Sequence, residues 1–256
     1  MPITLVAAMA MLVSCGQQGK QPSGEEEVSE QAEEAPMNAL TQQEIDEGWI
    51  LMFDGKTTKG WRNFNGDTLT GWVVKDEALL GLGLGGDIGG DIVYDEREFG
   101  NFILEWEWKL GPHGNSGVMY HVVEGEQYEA PYETGPEYQL IEDDDFRNPD
   151  GSQYTLEEWQ KTAADYAMYA ASEDIEVYVR DWNKSRIVFT NERVEYWLNG
   201  NLAVDFLPWG EDWYVRRNSG KWDDYPDYGL AKTGLIALQD HGSKVWFRNI
   251  RIKPLD

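Results

Sequence analysis

The chain has 256 residues and carries 47 acidic against 21 basic side chains, a formal net charge of −26. So acidic a surface repels phosphate backbones, which excludes nucleic acid as a partner, and it disfavours anionic lipid surfaces. Its single cysteine, Cys15, allows neither an intramolecular disulfide nor a thiolate metal cage.

At the start of the chain, Ile3 to Val13 is apolar save for Thr4, and Ser14, Cys15 and Gly16 follow at once. Such a run is too short to cross a bilayer as a helix, but it has the length of the apolar region of a secretory signal. The segment Leu12-Val13-Ser14-Cys15 resembles a bacterial lipobox, in which the cysteine is acylated and becomes the mature N-terminus. The expectation is a leader over residues 1–14 and a lipid on Cys15. The protein would then be exported and anchored to the cell envelope, facing periplasm or exterior. Membrane contact would be through the lipid alone. Residues 16–40 hold six glutamates, one lysine and no aromatic side chain. They cannot bury enough apolar surface to offset ordering, so 15–40 reads as a disordered acidic tether. A net charge of −21 remains on residues 41–256, a length that all-β sandwiches reach as one domain.

Within that domain, period-two alternation marks the strands. From Asn101 to Leu110, Phe102, Leu104, Trp106 and Trp108 alternate with Ile103, Glu105, Glu107 and Lys109. The glycine-rich run at 81–91 lacks the context of a phosphate-binding motif and reads as a loop. A capping-box pattern starting at Thr155, with Glu158 three residues on, predicts one decorating helix over Trp159 to Tyr166. Arg186 to Phe206 reads as strands joined by turns at Asn191-Glu192 and Asn199-Gly200, the latter a type I′ hairpin signal. Gly234 to Leu255 predicts a further strand pair around His241-Gly242-Ser243. The fold class expected is an all-β sandwich of two antiparallel sheets.

Alternation also sorts the polar residues. Glu137 and Gln139 fall on the strand face opposite Tyr138 and Leu140, and Gln239 and His241 share a face opposite Leu238 and Asp240. Asn115 opens a strand, and Trp182-Asn183 leads into another. Twelve tryptophans exceed what one core needs, so some should line a cleft. Aromatic faces stack on sugar rings while amides and carboxylates take hydroxyls, which makes carbohydrate the leading ligand class.

The runs GWILMFDGKTTKGWR (48–62), NFILEWEWKLGPHGNSGVMYHV (101–122), GPEYQLIED (135–143), VEYWLNG (194–200) and GLIALQDHGSKVWFRNIRIKPL (234–255) resemble the 3-keto-disaccharide hydrolase family. The resemblance implies a concanavalin-A-like jelly roll, often on exported lipoproteins, that acts on glycosides oxidised at C3. Residues 144–173 depart from the pattern as an expanded loop.

A ketone at C3 acidifies the C2 proton and sets the C1 oxygen β to the carbonyl. Removal of that proton, elimination of the aglycone and addition of water would amount to hydrolysis. The site needs a base, an acid and something to hold the enolate oxygen. His241 and Glu137 are the candidates for base and acid. Gln139, Gln239, Asn115 and Asn183 would position hydroxyls, and Glu105, His121, Trp197, Lys221 and Arg248 are further lining candidates. The sequence fixes no cofactor. A divalent metal is a possible aid to the enolate, although no motif fixes its ligands. The rival readings are a two-carboxylate glycoside hydrolase and a non-catalytic carbohydrate-binding lipoprotein.

Overall fold

The structure is a computed structural model that describes Met1 and residues 36–85 and 90–255. Cys15, the leader over 1–14 and most of the tether lie outside the described residues. Among the described residues, the folded unit takes in 36–85 and 90–255.

Among the described residues thirteen strands run in order: β1 (Ile50–Leu51), β2 (Trp61–Asn63), β3 (Trp72–Lys75), β4 (Ala78–Gly81), β5 (Ile92–Phe99), β6 (Phe102–Leu110), β7 (Asn115–Val122), β8 (Glu137–Ile141), β9 (Asn183–Thr190), β10 (Arg193–Leu198), β11 (Asn201–Phe206), β12 (Gly234–Leu238) and β13 (Val245–Pro254). They form two antiparallel sheets. The larger has the order β11-β10-β9-β6-β13-β4-β3, with β1 also paired to β13. The smaller has the order β2-β5-β12-β7-β8. Together they make the jelly-roll sandwich.

The alternation of β6 explains the large sheet's inner face. Phe102, Leu104, Trp106 and Trp108 are all 1% exposed or less and join one core with Val118, Tyr120, Tyr138, Leu140, Ile236 and Leu238 of the small sheet. Aromatic contacts cross between the layers: Trp106 meets Tyr138 edge-on at 5.0 Å and Phe102 meets Tyr120 at 5.9 Å. Each such pair adds about 0.5–1.5 kcal/mol beyond the area it buries. Asn199 and Gly200 both adopt positive φ between β10 and β11, as the hairpin signal predicted.

Three local expectations are corrected. The strands around His241-Gly242-Ser243 are not a hairpin: β12 lies in the small sheet and β13 in the large one. The segment is therefore a corner between layers. The helix expected to begin at Thr155 is a single 3₁₀ turn over Glu158–Gln160, closed by Gln160 Oε1 accepting from Glu157 N at 3.0 Å. The chain then extends along the open edge of β8. Gln139 N donates to Ala164 O, Ala163 N to Gln139 O, and Tyr166 N to Glu137 O. A buried strand edge needs those bonds, and that demand outweighs local helix preference. The helices that do form are α1 (Gln42–Asp46), opened by a Thr41–Glu44 capping box, and α2 (Glu211–Arg217). Finally, the body starts before residue 41. Asn38 is buried and exchanges hydrogen bonds with Asn249, from Asn38 N to Asn249 Oδ1 at 2.6 Å and from Asn249 N to Asn38 Oδ1 at 2.8 Å.

Candidate active site

The inner residues of β7, β8 and β12 enter the core, so their alternates point to the other side of the small sheet. There Val93, Met119, Val122 and Ala237 form a small apolar floor. Beside it is a cleft of about 70 Å³ lined by Asn115, Tyr132, Glu137, Gln139, Tyr166, Lys221, Gln239 and His241. Glu137 and Gln139 come from β8. Gln239 and His241 follow β12, where pairing with β7 runs one step further through Gln239 N donating to Gly117 O at 3.0 Å. The side chain between them is turned away: Asp240 accepts from the backbone of Leu84 and Gly85, and its own N–H donates to Asp91 at 2.8 Å. That anchor holds Gln239 and His241 toward the cleft. Burial pushes the Asp91 carboxyl up to about 7, with the Asp240 charge adding to the rise.

Gly117 makes room for Glu137. A Cβ there would lie 2.1 Å from Glu137 Oε1, closer than any real contact, so only glycine lets the carboxylate cross β7. Burial raises the Glu137 carboxyl well above the usual carboxylate range, while the nearby Lys221 charge opposes that rise. Lys221 is lowered by the same desolvation, opposed by Glu137. Gly220–Asp224 forms the 3₁₀ turn that carries this lysine. Behind it Trp222 stacks on Tyr228 at 3.7 Å and donates its indole N–H to Tyr166 O at 3.1 Å.

Among the described residues, two acceptors in the cleft lack partners. Asn115 Oδ1 and Gln239 Oε1 are buried and make no hydrogen bond, although each residue is only 7% exposed. An unmade bond of this kind costs about 1–3 kcal/mol, so both oxygens are poised for donors such as sugar hydroxyls. Ser243 fixes the backbone of Asn115, accepting from its N–H and donating to its C=O.

Six residues expected at the site thus meet there: Glu137, His241, Gln139, Gln239, Asn115 and Lys221. Five do not. Glu105 accepts from Arg251 at 2.7 Å on the outer face of the large sheet. Trp197, on the same sheet, donates its indole N–H to Glu195. Arg248 is paired with Glu107 at 2.7 Å. Asn183 staples the loop before β9 by bonding Tyr178 N and O. His121 is 1% exposed, bonded to Gly100 O and packed against Phe189 at 4.4 Å. Strand parity tells which residues share a face but not which sheet that face belongs to. The aromatic walls are Tyr132 and Tyr166 rather than tryptophans, and they come from loops with no periodic signal. Only their neighbourhood to GPEYQ and to the expanded loop could have suggested them.

A larger cavity of about 540 Å³ lies among Trp108, Ile141, Glu142, Thr162, Val177 and Arg180. Glu142 there is already bound to Arg180 at 2.9 Å, and none of the buried unpartnered side-chain atoms lines it. The chemistry converges in the smaller cleft. His113, Glu142 and Asp145 stand close enough to share a cation, but Arg180 pairs with both carboxylates and Arg147 with Asp145. That cluster does not line the cleft.

Comparison with known proteins identifies the family and the fold. The profile of the 3-keto-alpha-glucoside-1,2-lyase-like domain matches residues 48–253. A 3-keto-disaccharide hydrolase of Bacteroides thetaiotaomicron is 31% identical over 288 aligned positions, covering 100% of this chain and 98% of the relative. A crystal structure from Parabacteroides distasonis, whose assignment as a glycosyl hydrolase is itself provisional, is 46% identical. It has a TM-score of 0.79 and covers 86% of this chain and 100% of its own. A second structure from that organism, with the same provisional assignment, is 22% identical with a TM-score of 0.60, covering 81% of this chain and 99% of its own, and shares the fold. By the span of the profile and the full-length relative, the chain belongs to the 3-keto-alpha-glucoside-1,2-lyase-like domain family.

Proposed function

We propose that this protein is a glycoside hydrolase whose substrates carry a ketone at C3. The observation that carries the reading is one cleft whose described lining residues include one carboxylate, Glu137, together with His241 and two amide oxygens that have no hydrogen bond among those residues. Among the described lining residues there is no second carboxylate, so the acid-plus-nucleophile or acid-plus-base pair of ordinary glycosidases has no counterpart. Elimination beside a ketone needs only one base and one acid. The name of the B. thetaiotaomicron relative supports the same substrate class.

Glu137 serves as the base. In its ionised form, which the Lys221 charge favours, a buried carboxylate with a raised proton affinity removes a C2 proton more readily than a solvated one. The C2–H bond breaks, its electrons pass into the C2–C3 bond and the carbonyl pair moves onto the C3 oxygen. Collapse of that enolate restores the ketone, forms C1=C2 and breaks the bond from C1 to the leaving oxygen. His241, half-exposed at the β12 end of the cleft, donates the proton that the leaving oxygen takes. Water then adds at C1 and a proton returns to C2, which completes the hydrolysis. Asn115 and Gln239 accept from ring hydroxyls.

Product analysis with matched glycosides, one set oxidised at C3 and one not, tests this in deuterated water. The oxidised set should be cleaved, with deuterium at C2 of the product. Equal cleavage of the unoxidised set with C2 hydrogen retained would instead identify a displacement mechanism. The proposal extends to location. The lipobox-like segment supports export and a lipid on Cys15, and fatty-acid labelling that persists in Cys15→Ala would refute it.

A further inference from the structure

Lys221 is placed unusually for a lysine. Its ammonium lies 4.5 Å from the ring centroid of Tyr166, 4.6 Å from Trp222 and 4.8 Å from Tyr132. No carboxylate among the described residues comes within 4 Å of it, although Glu137 lines the same cleft. Three π faces attract a cation without neutralising it, whereas a carboxylate at contact distance would cancel its charge. They also strip water from one side of the ammonium, which strengthens its action on whatever enters from the other.

The rings are held for this role. Trp222 is pinned between Tyr228 and the Tyr166 carbonyl, and Tyr132 packs edge-on against Tyr225 at 5.6 Å. Tyr166 in turn is tied to Glu137 through its own backbone N–H. The base and the cation therefore sit at one end of the cleft. Strand register sends His241 the other way, past Gln239 toward Asn115. This order matches three adjacent atoms of a 3-keto sugar: C3 oxygen, C2 proton and C1 leaving oxygen.

We infer that Lys221 is a catalytic residue that binds the C3 oxygen of the substrate and carries its charge as the enolate forms. The inference rests on the reaction proposed above and assigns that reaction's oxyanion stabiliser. Lys221 stays noncovalent throughout: its N–H donates to the oxygen, the C2 proton goes to Glu137, and no bond to nitrogen is made.

The test compares wild type with Lys221→Met and Lys221→Arg, using a C3-oxidised glycoside in deuterated water and its unoxidised twin as a binding probe. Lys221→Met should lower both turnover and C2 exchange by about 10²–10³-fold, the usual cost of losing one oxyanion donor. Its Kd for the unoxidised twin should change by less than about threefold, because that ligand has no oxyanion to stabilise. Lys221→Arg should recover part of the exchange rate. C2 exchange in Lys221→Met at the wild-type rate would overturn the inference and leave the overall reaction standing. So would borohydride trapping of substrate on Lys221, which would show an imine in place of a charge contact. Absence of C2 exchange in the wild type would instead defeat the reaction itself, and this inference with it.

Discussion

The outward faces of the two sheets use polar residues in opposite ways. On the large sheet most of the charges are paired: Arg251 joins Glu105 to Glu44, and Arg248 pairs with Glu107 while lying 3.9 Å over the ring of Trp182. Over the small sheet a buried carboxylate faces a lysine set among three rings, and among the described residues two amide oxygens are left without hydrogen bonds. Unsatisfied polar groups cost stability, so a fold keeps them together only where a ligand completes them. The satisfied face holds the sandwich together, and the unsatisfied face meets the substrate.

The sharpest test of that contrast is Glu137→Gln. Removing the base should cut turnover by about 10²–10⁴-fold with the fold intact by circular dichroism. The matching change on the other face, Glu107→Gln, should leave turnover unchanged. Equal losses from both would erase the distinction.

Gly117→Ala comes next. Its new methyl must displace the Glu137 carboxylate, and a shift of about 1 Å at a reacting group can cost on the order of 10²-fold. Turnover measured against Kd for an unoxidised glycoside should show the loss mainly in kcat. A variant as active as the wild type would mean that Glu137 is not the base.

Gln239→Met should weaken substrate binding by about tenfold, as expected for one lost hydrogen bond. It should also raise the melting temperature of the free protein, because an unpartnered buried acceptor is gone. A fall in stability would show that Gln239 is already satisfied.

The pH dependence of stability has a definite sign. At pH values below the ordinary carboxylate range, Glu137 is protonated in both folded and unfolded chains. As pH rises above that range the unfolded chain ionises freely while burial resists ionisation in the fold. The stability tied to the neutral form is therefore lost progressively until the raised value is passed. The melting temperature of Glu137→Gln minus that of wild type should widen from acid to neutral pH. Asp91 and Asp165 are also raised by burial but are common to both proteins, so the difference isolates Glu137. A gap that narrows would reverse the assigned shift. The smallest effect belongs to the satisfied face. Arg248→Met should cost about 1 kcal/mol in denaturant unfolding, from a partly exposed ion pair and one cation–π contact, with no change in turnover.

Much of the site was legible before the fold. Parity alone set Glu137 and Gln139 against Tyr138 and Leu140, and Gln239 and His241 against Asp240, and the structure keeps all of these relations. Parity says nothing of sheet membership, and the lining candidates Glu105, Trp197 and Arg248 lie on the large sheet, which the sandwich separates from the cleft. His121 shows a different limit. Its positive φ and its aromatic neighbours from β6 and β9 turn it inward, away from the alternation of its own strand.

What the sequence alone determined is what depends on near neighbours along the chain. The period-two strands, the positive φ at Asn199 and Gly200 and the inward run of β6 follow from side-chain direction and turn geometry. What only the tertiary structure decided depends on hydrogen bonds and packing between distant segments. Residues 162–166 follow β8 instead of a helix because an open strand edge offers backbone partners that no local preference can match. Tyr132, Tyr166 and Lys221 meet at Glu137 because separate loops are drawn over one sheet and locked by the Trp222–Tyr228 stack. The β12–β13 corner passes between layers because Ile236 and Leu238 must enter the core from one sheet, and Val245 and Phe247 from the other.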